Sequence, residues 1–287
     1  MTEKANLGSL ILNESFFDLS TPIVMGIVNA TPDSFYKGNR FSADKELLSC
    51  VDKHLIDGAT ILDIGGYSTR PDAAYVTEEE EQARVAHAIE IILNKFPKVI
   101  LSVDTFRSGI ARFCVDNYNV AMINDIGGGT LDDRMFATIA ELKVAYVLMH
   151  TKGNPANMQT MTEYTSFVSE VYNFLDQRIE TLRSLGITQI VADPGFGFAK
   201  TMEQNYELLK NLSLFQNLNV PVLAGLSRKS MIYKLLQTDP ASSLNATTAA
   251  NMLALIGGAS ILRVHDVKEA LEVIQIFKSY KNQPNSN

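Results

Sequence analysis

Eight short apolar runs in this 287-residue chain end in residues that hydrogen-bond or carry charge. These are Asn29, Asp63, Asp104, Asn124 with Asp125, His150, Asp193, Ser227 with Lys229, and Arg263 with His265. Their types sort into two groups. Asp104, Asn124 and Asp193 bring acceptors and one amide, a set suited to a flat heterocycle rich in N–H donors. Arg70, Arg263 and His265 bring donors for phosphate oxygens, and the planar fork of Arg70 also matches a carboxylate. Arg263 and His265 are two apart, so on a strand they leave the same face. Lys229 is expected one turn into a helix that opens at Ser227, near positive backbone dipoles, within reach of either group. Taken singly, Asp104, Asp125 and Asp266 read equally well as helix N-caps, and Arg263 or His265 as packed, satisfied side chains. The polar residue at every run end is what favours a site.

Several chemistries are excluded. No Cys/His cluster has zinc spacing and G-x-S-x-G is absent, so no covalent enzyme nucleophile is expected. The glycine-containing stretch DPGFGFAK (193–200) is not a nucleotide loop, because Pro194 and Ala199 occupy the two glycine positions that such a loop requires. Cys50 and Cys114 read as reduced, buried thiols, with a disulfide or metal pair as the alternative. His54 and His87 fall within amphipathic helical patterns and read as surface or core residues.

The elements that must position these residues follow from periodicity. The runs are 22–29, 59–64, 98–104, 120–125, 144–150, 188–193, 220–225 and 259–264. Helical patterns such as 78–96 and 162–185 separate them, and 266–280 follows the last. Buried strands alternating with helices predict an α/β fold, a (β/α)8 barrel, with an open doubly wound sheet as the alternative. In a barrel the active site lies where strands end and βα loops begin. Thr77 with Glu80, Thr130 with Asp133, and Asp266 with Glu269 read as capping boxes or close variants. Residues 1–20 are expected to form a cap or hairpin, 21–280 the barrel and 281–287 a frayed tail.

Composition is that of an ordinary soluble globular chain and excludes a disordered or collagen-like one. There are 25 Lys+Arg against 32 Asp+Glu, a net charge of −7, and 46% hydrophobic residues. The negative balance argues against a nucleic-acid surface but not against a small phosphorylated ligand. No basic-then-apolar leader and no run near 18 apolar residues is seen, so a cytoplasmic protein without membrane association is expected.

The motifs carry a resemblance. VNATPDSF (28–35), DIGGYSTRP (63–71), VDTFRS (103–108), NDIGGG (124–129), MHTKGNP (149–155), DPGFGFAK (193–200), LSRKS (226–230) and RVHDV (263–267) closely resemble, in order, those of the dihydropteroate synthase family. The match runs from about residue 22 to 275. The resemblance implies a TIM barrel, usually a homodimer, that joins 6-hydroxymethyl-7,8-dihydropterin diphosphate to 4-aminobenzoate and releases pyrophosphate. It implies a pterin set of Asp104, Asn124, Met149, Asp193 and Lys229, and a diphosphate set of Asn29, Arg70, Arg263 and His265. Mg2+ is implied near Asn29 and Asp33. Thr69, Arg70, Pro71, Phe198, Ser227 and Lys229 are implied to form the aminobenzoate pocket, and Asp104, Arg70, Lys229, Arg263 and His265 to act in catalysis. Three residues depart from the pattern: Tyr67 where many members have Glu, and Asp72 and Ala199 where Gly is frequent. A pterin-binding methyltransferase barrel and a non-catalytic relative are the competing readings.

Overall fold

A computed structural model describes residues 8–30, 40–67 and 75–284. Asp33, Thr69, Arg70, Pro71 and Asp72 lie outside the described residues. Eight parallel strands occupy the expected runs: β3 (Ile23–Asn29), β4 (Ile61–Gly65), β5 (Leu101–Asp104), β6 (Met122–Asp125), β7 (Ala145–Met149), β8 (Ile190–Asp193), β9 (Leu223–Ala224) and β10 (Ile261–Val264). Their order is β8-β7-β6-β5-β4-β3-β10-β9. The two edges then meet, since Ala192 N–H donates to the Pro221 carbonyl at 2.9 Å and Ala192 bridges Val222 in parallel. An open sheet would leave those edges apart, so the sheet is a nearly closed barrel. Strand β9 is short because Pro221 has no N–H to give to a ladder.

The connecting helices are α1 (Arg40–Ile56), α2 (Glu78–Lys95), α3 (Ser108–Tyr118), α4 (Met135–Leu142), α5 (Phe167–Ser184), α6 (Met202–Lys210), α7 (Ser230–Leu235), α8 (Leu244–Ile256) and α9 (Val267–Lys281). Their apolar stripes pack on the outward strand residues, among them Val28, Leu62, Val103, Ile123, Leu148 and Leu262. Thr77 caps α2, accepting from Glu80 N–H at 3.2 Å. The other two expected boxes do not form. Thr130 donates to the Gly127 carbonyl, and α4 starts later, at Met135. Asp266 is drawn into a two-point ion pair with Arg228 (2.7 and 2.8 Å) and gives no cap bond. A complete capping box instead opens α6, between Thr201 and Gln204.

Strands β1 (Ser9–Leu12) and β2 (Ser15–Asp18) form an antiparallel hairpin. Asn13 and Glu14 turn it with φ of 45° and 65°, the two left-handed residues of a tight hairpin turn. Leu10 and Leu12 are buried in the apolar cluster that holds Met25, Ile61, Met122, Val191 and Ile261. The hairpin therefore closes the N-terminal end of the barrel. Cys50 and Cys114 are free thiols. His54 is buried, with Nε2 3.0 Å from the Ile27 carbonyl, whereas His87 pairs with Asp44 at 2.7 Å at the surface between α1 and α2. Among the described residues no helix is long and apolar enough to cross a membrane.

Candidate active site

Side chains alternate along a strand, so every second residue faces the barrel axis. Climbing two residues from the apolar floor changes the chemistry: Ile61 is followed by Asp63, Met122 by Asn124, Val191 by Asp193 and Ile261 by Arg263. On β5 the pair is Ser102 and Asp104, and on β7 Val147 and Met149. Parallel register sets neighbours side by side, with Asp104 opposite Asn124 and Met149 opposite Asp193. The same parity sends Asp125 outward, where it accepts from Gly127 N–H, Gly129 N–H and the Tyr146 hydroxyl. Asp125 thus shapes the loop after β6.

The inward residues form one network. Arg263 donates from Nε to Asp63 Oδ2 at 2.6 Å and from Nη2 to Asp104 Oδ2 at 2.7 Å. Asn124 Nδ2 donates to the same Asp63 oxygen at 2.9 Å, while Asp63 Oδ1 is buried without a partner among the described residues. Arg263 therefore stands among the acceptors, bridging the two groups that residue chemistry separates. Burial, with a further push from Asp63, raises the Asp104 pKa to about 7 against the pull of Arg263. Burial likewise raises Asp193, opposed by Lys229 and by a 2.7 Å bond from Gly195 N–H. Carboxylates packed this way hold proton-accepting capacity in a low-dielectric mouth.

Lys229 is the N-cap residue of α7, one step earlier than a position inside that helix. Its ammonium reaches back to the Phe196 carbonyl and lies 4.5 Å from the centroid of Phe198. Burial lowers its pKa to about 8. Ser227 and His265 pair, with Oγ 3.1 Å from His265 Nδ1 and accepting from His265 N–H at 3.2 Å. The two histidine-265 contacts place that residue on the β9 side of the mouth, while Arg263 leans toward β4 and β5. Asn29 is exposed at the end of β3 and shares with His265 the lining of a cavity of about 230 Å³.

Residue types alone gave no role to Asp63 and Lys200. Asp63 was visible as a strand-end residue, but its partnership with Arg263 joins residues 200 positions apart. Lys200 is buried and bonds His150 Nδ1 at 3.0 Å, so His150 faces that lysine. Burial first, then the Lys200 charge, depresses the His150 pKa to about 2, leaving the ring neutral. Tyr67 packs edge-on against Phe106 (5.5 Å) beneath Arg107, which is fixed to buried Glu81 at 2.5 Å. Among the described residues no group of three or more His, Cys, Asp or Glu could hold a metal.

A family model described as pterin binding enzyme matches residues 25–265. The dihydropteroate synthase of Haemophilus influenzae is 40% identical over 276 residues, which cover 95% of this chain and 99% of that protein. The crystal structure of Yersinia pestis dihydropteroate synthase with a sulfonamide drug superposes with a TM-score of 0.88 at 37% identity, covering 96% of this chain and all of that one. The Xanthomonas albilineans dihydropteroate synthase with 4-aminobenzoic acid gives 0.87 at 37% identity, over 96% of this chain and 99% of the other. This chain belongs to the pterin-binding enzyme family, among the dihydropteroate synthases.

Proposed function

We propose that this protein condenses 6-hydroxymethyl-7,8-dihydropterin diphosphate with 4-aminobenzoate, giving 7,8-dihydropteroate and pyrophosphate. The observation that carries the residue assignment is the inward network Asp63–Arg263–Asp104 with Asn124 and Asp193 beside it. Asp193 and Asn124 offer acceptors and an amide to the N–H edge of the pterin, Met149 lines its face, and Lys229 reaches a ring acceptor. Arg263 is oriented by Asp63 before any ligand arrives, which keeps the cost of ordering it out of the binding step. With His265, Asn29 and Arg70 it receives the diphosphate. Thr69, Arg70, Pro71, Phe198 and Ser227, with Lys229, take the aminobenzoate.

The bond from the pterin methylene carbon to the diphosphate oxygen breaks, and its electron pair leaves on the diphosphate. Positive charge spreads from the methylene into the electron-rich dihydropterin ring, where the Asp104 carboxylate stabilises it. The neutral aryl amine forms the new C–N bond and then loses a proton, so no strong base is needed.

Mg2+ keeps several waters and needs only one or two protein oxygens beside substrate phosphates; Asn29, exposed at the end of β3, would supply one, and Asp33, which lies outside the described residues, would supply the other. When bound, the ion neutralises charge on the departing diphosphate.

Residues 21–280 act as one unit on this reading, with the hairpin as its floor. A cytoplasmic homodimer accompanies it, supported by exposed apolar residues on the outer helices, Leu253 and Ile256 of α8 and Ile276 of α9. Sedimentation of the purified chain checks the dimer.

The test of function is pyrophosphate release with each substrate and Mg2+ omitted in turn. Release only from the complete mixture, with dihydropteroate formed, is the expected result. Binding of the pterin diphosphate without turnover would point to a non-catalytic relative. A methyltransferase of the same fold would have no use for Arg263 and His265 as anion ligands.

A further inference from the structure

The loop between β8 and α6 turns its backbone toward cations. Lys200 Nζ donates to the Gly195 and Phe198 carbonyls, each at 2.9 Å, and to His150 Nδ1 at 3.0 Å. Lys229 takes the Phe196 carbonyl and Tyr164 Oη donates to that of Ala199 at 2.9 Å. A phosphate loop presents N–H groups to an anion; this loop presents carbonyls to ammonium groups, the opposite arrangement. The His150 carbonyl, at 3.5 Å, is a fourth acceptor, so the three donors of the ammonium are all met where Lys200 is buried.

The packing leaves little freedom around it. Gly195 adopts φ +75°, and a Cβ there would stand 2.0 Å from the His150 carbonyl oxygen and 3.2 Å from Lys200 Nζ. His150 is held in turn by an edge-on contact with Phe174 at 5.0 Å. A buried ammonium is expensive unless every donor is used. Burial also pulls its pKa well below the ordinary lysine value. Among the described residues the Lys200 ammonium bonds only to loop carbonyls and to His150 beneath it, while its charge also helps hold the Asp193 carboxyl down against burial.

We propose that Lys200 is a positioning residue for the second substrate: from beneath the loop it fixes the 195–198 turn and thereby the ring of Phe198 against Lys229, with Tyr164 holding the loop's far end. The inference rests on the reading of Phe198 as a wall of the aminobenzoate pocket. It assigns the loop's rigidity to a side chain that touches neither substrate. Asp193 bonds Gly195 N–H and feels the Lys200 charge, but its position is set by its own strand, so pterin binding should change less than aminobenzoate binding.

Steady-state kinetics of Lys200→Met and Tyr164→Phe test this, with thermal unfolding alongside. In Lys200→Met, KM for 4-aminobenzoate should rise tenfold or more, and KM for the pterin diphosphate by less than threefold. Tyr164→Phe should move the aminobenzoate KM in the same direction by about threefold. Equal changes in both KM values, or a lower melting temperature with neither KM changed, would make Lys200 purely structural and overturn the inference. If Lys200→Met does not fold, Tyr164→Phe decides, and an unchanged aminobenzoate KM overturns it. A wild-type protein that makes no dihydropteroate overturns the proposed function itself, whereas active wild type with unaltered variants overturns this inference alone.

Discussion

At the floor of the barrel Met25, Ile61, Met122, Val191 and Ile261 meet Leu10 and Leu12 of the hairpin in a dry apolar layer. One side-chain layer higher, the same strands present Asp63, Asn124, Asp193 and Arg263, with Asp104 from β5. Asp63, Asp104 and Asp193 face Arg263 and Lys229 in that layer, and among the described residues Asp63 Oδ1 has no partner. The floor therefore gains stability from burial, while the mouth holds polar capacity that a ligand completes. Strand alternation decides which residues face inward; height along the strand decides what they do. Such a division is general for barrels, where strand C-terminal ends carry chemistry and N-terminal ends carry stability.

Two truncations would separate the layers most strongly. Arg263→Ala leaves the Asp63 and Asp104 carboxylates without their shared cation, and breaking a buried pair costs roughly 3–5 kcal/mol. We expect that loss in urea unfolding, together with loss of binding to a phosphate-free pterin as well as to the diphosphate, because Arg263 braces the acceptor cluster. Full retention of phosphate-free pterin binding would return Arg263 to a purely anion-binding role. Leu12→Ala on the floor should cost roughly 2–5 kcal/mol, the range for a buried leucine, with both KM values unchanged when assayed well below its melting point. A changed KM would mean that the floor communicates with the mouth.

Asp193→Asn should be smaller in stability but specific to the pterin. An amide replaces one acceptor by a donor facing a donor, which costs roughly 1–3 kcal/mol, about a tenfold to hundredfold weakening. Calorimetry with a pterin analogue measures it. Unchanged affinity would remove Asp193 from the site.

The fold was legible because it rests on short-range regularity. Eight runs of β-rich residues with polar ends and helical patterns between them are local signals, and all eight contain strands. Barrel closure was an inference from their number, and the contact of Ala192 with Pro221 and Val222 makes it concrete. Identity of the inward residues was legible through the two-residue period. Their pairing was not. Asp63 and Arg263 meet only because β3 alone separates β4 from β10 around the barrel. Lys200 was hidden for a related reason: nothing in the stretch 193–200 marks its lysine as buried, and only the loop's fold around it turns the carbonyls inward. Capping signals failed where a stronger partner competed, as Arg228 did for Asp266.

A pH profile sharpens the contrast by a different readout. Asp104, raised to about 7, and Lys229, lowered to about 8, bound a narrow window in which both are ionised. We expect kcat/KM to fall below about pH 7 as Asp104 takes up a proton, and above about pH 8 as Lys229 loses one. For stability the sign of the Asp104 contribution is opposite to its catalytic use. A carboxyl raised in the folded state stabilises below its unfolded pKa, and that contribution is lost as pH rises through about 7. Asp104→Asn should therefore flatten this fall in unfolding free energy between about pH 4 and 7. A variant whose stability curve parallels wild type would show that Asp104 does not carry the shift.

The smallest expected effect belongs to Ala199, at the edge between the rigid loop and the mouth. Its φ of 50° puts an L-residue in the left-handed region, at a cost of about 1–2 kcal/mol that glycine would not bear. Glycine loses about 0.5–1 kcal/mol more on folding through its freer unfolded chain. Its substitution would also remove a fully buried methyl group, roughly 0.8 kcal/mol. These contributions oppose one another, so Ala199→Gly should leave stability within about 1 kcal/mol of wild type. Freedom should change more than stability, because the methyl restricts the backbone beside Phe198 while Tyr164 grips the carbonyl of the same residue. We expect an aminobenzoate KM raised about two- to threefold, an energy below ~1 kcal/mol, with the pterin KM unchanged. A rise in stability well beyond 1 kcal/mol with both KM values unmoved would mean that Ala199 stores strain without stiffening the pocket wall.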